Sequence, residues 1–402
     1  MKKLTVLILL VCLFLPGCWD LTEPERLGLV MAVGIDRGPK DKIKISCAEI
    51  NVRTVGGGMT GGGGGNEAPF HVHSGTGDTV FDAIRRLSQQ APYRLFFAHA
   101  QVIIFSEELA RERGIKPVID FFERNEEMRR STWLIIAKKG QTEKVINANM
   151  PIKTSKGQFL GGIIDHKNRN SFFAPSRIGD FIEMYSESGC EPYTAGVNLK
   201  PVHEEENPAS VGTVEKPRSA DTLIMDTAVF KQEKMVGWLN DRESRGLLWV
   251  KGEVGGGILT SHVNDKALSF EILRSDSKVE PEIKEGKITM NIKIKVESNI
   301  GESELNLDFS KVKVIEEVQK LQAAEVKKEI LMALDKSREL ESDVFGFGRS
   351  IYAKYPEQWL QIKDHWYDYY PEIEIKIAVD SKVSRFGLIS KPTENDFTGV
   401  DR

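Results

Sequence analysis

The sequence predicts a mixed α/β fold, with β-sheets flanked by helices in two or three domains. Three observations carry this. Helical and strand patterns alternate between residues 76 and 147, which argues for a sheet with helices packed on it. Residues 287–297 alternate strictly: Ile288, Met290, Ile292, Ile294 and Val296 on one face, Thr289, Asn291, Lys293 and Lys295 on the other. A long amphipathic helix is expected over 312–344, with Val318, Leu321, Val326, Ile330, Ala333, Leu334 and Leu340 forming its apolar face. No strict seven-residue repeat is sustained there, so the helix is expected to lie across a sheet rather than form a coiled coil.

The chain has 402 residues, 40% hydrophobic and 28% charged, with a formal net charge of −4. This suits a globular protein and offers no basic block for nucleic acid. Residues 1–17 read as an export signal. Lys2 and Lys3 precede an apolar run from Leu4 to Leu15 in which only Thr5 is polar. That run is short of the about 20 apolar residues a membrane-spanning helix needs and fits a signal core. It ends in Leu15-Pro16-Gly17-Cys18, a lipobox pattern with an uncommon proline. Cys18 is the expected lipidation site, carrying S-diacylglyceryl and N-acyl (palmitate-type) groups. Each buried lipid CH₂ contributes about 0.8 kcal/mol, so two or three chains hold a protein firmly. The competing reading is an ordinary secretory signal in which Cys18 is incidental.

Of the four cysteines, Cys12 leaves with the signal. Cys47 and Cys190 remain, either as one disulfide or as buried, free thiols.

After a polar tether at 21–26, strands are expected at 29–36 and 43–52, joined by a Gly38-Pro39-Lys40-Asp41 turn. Residues 55–66 are glycine-rich. Gly56, Gly58 and Gly61 match a dinucleotide fingerprint only formally, because no helix follows to aim at a phosphate; a surface loop is expected. His71 and His73 are expected to be exposed on a strand, with no carboxylate or cysteine at ligand spacing. A helix follows, capped at Asp78 or Thr79, with Val80, Ala83, Ile84 and Leu87 as its stripe. Then come a strand at 102–105, helices at 107–113 and 117–124, a strand at 133–137 and a helix at 142–147. Residues 178–185 look helical.

Residues 18–200 are taken as an N-terminal α/β region of one or two subdomains. Residues 201–221, with three prolines and Glu204-Glu205-Glu206, are the expected linker or exposed loop. Residues 222–390 are the expected C-terminal domain of antiparallel strands on a long helix, and 391–402 a tail. Within the second half, 222–230 and 235–239 read as a hairpin around Gln232-Glu233. Strands are expected at 247–250, 267–273, 287–297 and 372–379. Gly346 and Gly348 close the helix region. Pro356 opens a helix in which Trp359, Ile362, Trp366 and Tyr370 recur as core.

No nucleophile elbow, P-loop or zincin motif is present, and the seven histidines form no cluster. No catalytic or metal-binding residue is proposed, no cofactor is expected, and ligand-binding residues are unknown.

Four stretches together resemble one family. The first is Gly17-Cys18-Trp19-Asp20 with Glu25-Arg26 and Val33-Gly34-Ile35-Asp36. The second is His99-Ala100-Gln101-Val102-Ile103-Ile104-Phe105, then Glu108-Leu109-Ala110 and Gly114-Ile115. The third is Ala228-Val229-Phe230-Lys231, Gly237-Trp238-Leu239 and Glu243-Ser244-Arg245-Gly246-Leu247. The fourth is Phe345-Gly346-Phe347-Gly348 leading to Pro356, Trp359 and Trp366. They span nearly the whole mature chain, in order, and the chain resembles a Ger(x)C-type lipoprotein, the C subunit of a spore germinant receptor. The resemblance implies a non-enzymatic subunit on the outer face of the inner spore membrane. Its implied partners are an integral-membrane A subunit and a transporter-like B subunit in a nutrient-triggered complex. A lipid-anchored solute-binding protein that captures the nutrient itself is the alternative, and a cell-wall enzyme a third reading.

Overall fold

The computed structural model describes residues 26–50, 70–125, 127–140, 142–148, 156–200 and 221–385. Residues 1–25, with Cys18, and the glycine-rich stretch, the expected linker core and the tail from 391 lie outside them.

A ten-stranded sheet organises the larger part. Its strands are β1 (Leu27–Arg37), β2 (Ile43–Ile50), β3 (Phe70–Gly77), β4 (Arg94–Phe96), β5 (Val102–Ser106), β6 (Trp133–Ala137), β7 (Ser176–Arg177), β8 (Tyr193–Lys200), β9 (Asp221–Lys231) and β10 (Lys234–Leu239). The main path runs β10-β9-β8-β6-β5-β1-β2-β3, with β4 against β1 and β7 against β6. The four central strands β8, β6, β5 and β1 are parallel, and antiparallel hairpins form both wings. Sequence accounts for this. β6 and, up to its closing Ser106, β5 are unbroken apolar runs, and all five residues of each are buried, as parallel strands covered on both faces require.

Helices fill both faces. On one lie α1 (Val80–Leu87), α2 (Glu107–Glu112) and α3 (Lys116–Arg124), where Leu109, Val118 and Phe122 meet Ile103, Phe105 and Ile136. On the other lie α4 (Thr142–Asn147) and α5 (Lys156–Asp165), where Val145, Ile146 and Leu160 meet Ile104 and Ile135. After the short α6 (Lys167–Asn170), α7 (Ile178–Ser186) returns to the first face through Phe181. The Thr79 side chain caps α1 by accepting from Asp82 N.

β8 and β9, on either side of residues 201–220, pair antiparallel. The first sheet therefore takes strands from both sides of the expected linker.

The second unit is a four-stranded sheet, β11 (Gly257–Val263), β12 (Lys266–Lys284), β13 (Lys287–Ser303) and β14 (Glu374–Arg385), in that order. β12 and β13 form a long hairpin closed by Glu285 and Gly286, both at positive φ. Both strands run further than the alternation suggested, and β14 joins parallel to β13 rather than antiparallel. Across one face lie α8 (Asp241–Lys251) and α9 (Val312–Glu339); α10 (Phe347–Lys354), α11 (Pro356–Ile362) and α12 (Trp366–Tyr369) follow. Trp359 and Trp366 meet edge to face, 5.1 Å between centroids, inside the core.

Two further expectations are corrected here. Residues 247–250 are not a strand but the last turns of α8. The Asn240 carboxamide accepts from Arg242 N and Glu243 N, Glu243 reaches back to Asn240 N, and Gly252 closes the helix at φ +71°. Leu247, Leu248, Trp249 and Val250 read as a strand because they are all buried, α8 being sandwiched between the two sheets. The long helix ends at Glu339, not Val344, because Glu341 turns left-handed (φ +48°) and a separate helix starts at Phe347.

Candidate interaction site

The junction between the two sheets gathers much of what the sequence singled out. The turn after α9 holds Asp343, fully buried. Its carboxylate accepts from Phe347 N (3.0 Å), Gly348 N (2.8 Å) and Trp366 Nε1 (3.2 Å), so it caps α10 and ties it to α12. Burial pushes the Asp343 carboxyl up to about 6, against the pull of those donors. Gly346 supplies the left-handed turn (φ +69°) that a side chain would strain.

The same turn grips the first sheet. Arg349 N donates to Gly189 O (2.9 Å) and Glu191 N to Asp343 O (3.0 Å). The Ser342 hydroxyl donates to Phe230 O (2.6 Å). Glu191, itself buried, accepts from Tyr367 Oη and Gln232 N, each at 2.5 Å. A Cβ on Gly189 would lie 2.5 Å from the Gly348 carbonyl carbon, so the two backbones touch only because both are glycine.

Two more carboxylates brace the frame. Glu329 of α9, fully buried, takes Arg245 Nε (2.8 Å) and Nη2 (2.5 Å) and Trp249 Nε1 (3.0 Å) from α8. Gly246 allows this approach, since a Cβ there would strike Glu329 O. Glu107, at the start of α2, accepts from Trp238 Nε1 (2.8 Å), Arg111 Nε (2.9 Å) and Lys139 N (3.0 Å). Burial alone would raise its pKa; these donors outweigh it and hold the carboxyl below the usual range. Thus Trp238 of the third stretch touches Glu107, which lies between the two parts of the second, and the third and fourth both border the junction.

Beside the junction is an open cleft of about 430 Å³ between the end of α7 and helices α10 and α11. Arg349 pairs with Glu187 (2.6 Å) on its wall, and Trp359 Nε1 donates to Ser188 Oγ (3.0 Å). Tyr352 and Leu360 stand 49% and 59% exposed at its rim. Paired charge, an indole and exposed apolar side chains suit recognition of another surface or a small polar molecule. The nearest thiol, Cys190, is buried, and burial pushes it up to about 11, so it rests as a protonated thiol.

Cys47 and Cys190 are both buried and free, which settles the open choice against a disulfide. His71 is exposed, as expected, but His73 is half-buried: its Nε2 lies 2.7 Å from Glu49 Oε2, and Cys47 faces it across the strand pair. The hairpin brings together residues that linear spacing kept apart. Among the described residues, no group of three or more His, Cys, Asp or Glu could hold a metal ion, and no helix is long and apolar enough to cross a membrane. Cys18 lies outside the described residues.

Sequence reasoning missed the carboxylate hubs. One signal was available: Gln322, Glu329 and Ser337 interrupt the apolar stripe of α9 at helical spacing and are buried with it. Asp343 carries no such mark.

Residues 20–199 match the family described as "Spore germination protein N-terminal domain", and residues 225–387 match "Spore germination B3/GerAC like, C-terminal". The chain is 29% identical to spore germination protein KC of Bacillus subtilis (strain 168), over 98% of each chain. It is 24% identical to spore germination protein B3 of the same organism, over 97% of this chain and 99% of that one. A crystal structure of the GerBC protein superposes with a TM-score of 0.57 at 19% identity, covering 87% of this chain and 96% of that chain. That likeness speaks for the fold; the two family matches, lying either side of residues 200–224, cover nearly all of the described structure. The chain belongs to the Ger(x)C family of spore germination proteins.

Proposed function

We propose that this protein is a non-enzymatic, lipid-anchored subunit of a nutrient germinant receptor. The lipid on Cys18 holds the body against the outer face of the inner spore membrane. There it docks on an integral-membrane A subunit and a transporter-like B subunit and stabilises the complex that responds to nutrient. The observation that carries this reading is the full-length match to spore germination proteins, through both family domains, in a chain that opens with a signal-like run ending in Gly17-Cys18. The junction supports it, because the buried Glu191 carboxylate and the Ser342–Phe230 bond tie the two sheets into one body able to present a fixed surface.

The test is co-purification from spore membranes with Cys18→Ala as the partner experiment. The body should bring down two membrane subunits, and Cys18→Ala should move it to the soluble fraction and weaken nutrient germination. Full germination with an entirely soluble mutant sinks the anchoring claim. The second reading, direct nutrient capture, draws on the cleft beside Arg349 and Trp359. It requires saturable binding of one nutrient by the protein purified alone.

A further inference from the structure

The open face of the second sheet carries its charge in a two-dimensional pattern. Asp276, Lys295 and Asp380 stand in register across β12, β13 and β14, and Arg274, Glu297 and Lys382 form the next row. Signs alternate along each row and between rows. Arg274 and Lys382 both pair with Glu297, while among the described residues Lys295 and Asp380 make no ion pair within 4.0 Å.

β14 is the outer strand of this sheet. Its register with β13 is unbroken from Glu374 to Val383, and it holds no proline. Among the described residues no strand pairs with its far edge. Such an edge presents unpaired backbone donors and acceptors, and isolated charges usually protect it from partners. The charges here are not isolated. Along the open face β14 reads Glu374, Lys376, Ala378, Asp380, Lys382, which is complementary to itself when reversed.

We propose that β14 pairs antiparallel with β14 of a second copy of this chain, with Ala378 facing Ala378 on the two-fold axis. Glu374 then faces Lys382 of the other copy and Lys376 faces Asp380, giving four opposite-charge pairs by symmetry. Directly opposed side chains in an antiparallel pair share a face, so the open faces of both copies stay aligned. The register is selective. Centring the pair on Ile377 sets Glu374 against Asp380, and centring it on Val379 sets Lys376 against Lys382. On the helix-covered face, the half-buried Ile377 and Val379 of one copy face Val379 and Ile377 of the other. The checkerboard runs on across the seam, Lys382 meeting Glu374 and Asp380 meeting Lys376. Ala378 is small where the two chains come closest.

The test uses the full-length chain in its membrane, carrying Ala378→Cys and treated with a short bis-maleimide. A covalent dimer of twice the chain mass is expected. Lys376→Glu in that background should lower its yield about tenfold, since it turns two symmetric attractions into repulsions. Adding Asp380→Lys to Lys376→Glu should restore the yield to within about twofold, because each residue faces the other across the axis. Circular dichroism of each variant confirms that the fold is kept. Cross-linking no stronger than in a Lys278→Cys control overturns the proposal. So does a yield indifferent to the charge reversal, or a product whose mass is that of a different protein.

Discussion

Glu329 offers the sharpest test of how α8 is held against α9. Its carboxylate is fully buried and receives both an Arg245 fork and the Trp249 indole N–H. Arg245 is itself buried, at 6% exposure, and its Nη1 donates to Ile258 O. Glu329→Gln keeps the shape but leaves the guanidinium charged, dry and facing an amide that is partly a donor. Breaking one partner of a buried pair costs about 3–5 kcal/mol, a large share of a typical total stability of about 5–15 kcal/mol. Urea unfolding followed by tryptophan fluorescence should therefore show a much lower midpoint at unchanged slope. The companion is Arg245→Met with Glu329→Leu. It removes both charges and leaves the buried Trp249 N–H unpaired, at about 1–3 kcal/mol, while the Ile258 carbonyl, on a residue 59% exposed, can take water in place of Arg245. The double variant should accordingly be more stable than Glu329→Gln alone. If Glu329→Gln costs under about 1 kcal/mol, or the double variant costs the sum of the two single ones, the pair is not the lock described.

The other predictions concern the junction and the anchor. Asp343 has a folded pKa of about 6 against an ordinary value of 3.8. The native state therefore holds this proton to higher pH than the unfolded chain, and stability from this group falls as pH rises from about 4 to about 6. The loss amounts to about 3 kcal/mol by linkage. Urea midpoints of wild type and Asp343→Asn, compared across that window, should diverge in that direction; a constant difference contradicts it. Gly189→Ala forces a side chain into φ +78° and against the Gly348 backbone. It should cost about 2–3 kcal/mol and speed amide exchange at Phe347 and Gly348, and an unchanged melting temperature is the opposing result. Cys18→Ala should leave the melting temperature of the detergent-solubilised protein unchanged while abolishing membrane retention, which separates anchoring from folding.

Much of the frame was legible in the residues. β5 and β6 are contiguous apolar runs and β13 alternates strictly, so burial on two faces or on one was written into composition and period. Helix starts at Thr79 and Pro356 were visible for the same reason: caps and prolines act within one turn of chain. The family was legible too, because its stretches recur in order along nearly the whole chain.

What failed was whatever depends on a neighbour distant in sequence. Residues 247–250 read as a strand because burial on all sides looks alike in a buried strand and a sandwiched helix. Only the Asn240–Glu243 cap and the sheets above and below decide between them. Asp343, Glu191 and Glu329 look like ordinary solvated acids until the fold supplies their donors. The partnering of β8 with β9 across residues 201–220 likewise follows from sheet pairing, which no local period encodes. By itself the sequence determined most of the elements and the family, and it sets the expectation of an anchor at Cys18. The tertiary structure decided which strands share a sheet, which carboxylates are buried, and that β14 ends that sheet as a self-complementary edge, since these depend on contacts between residues far apart in the chain.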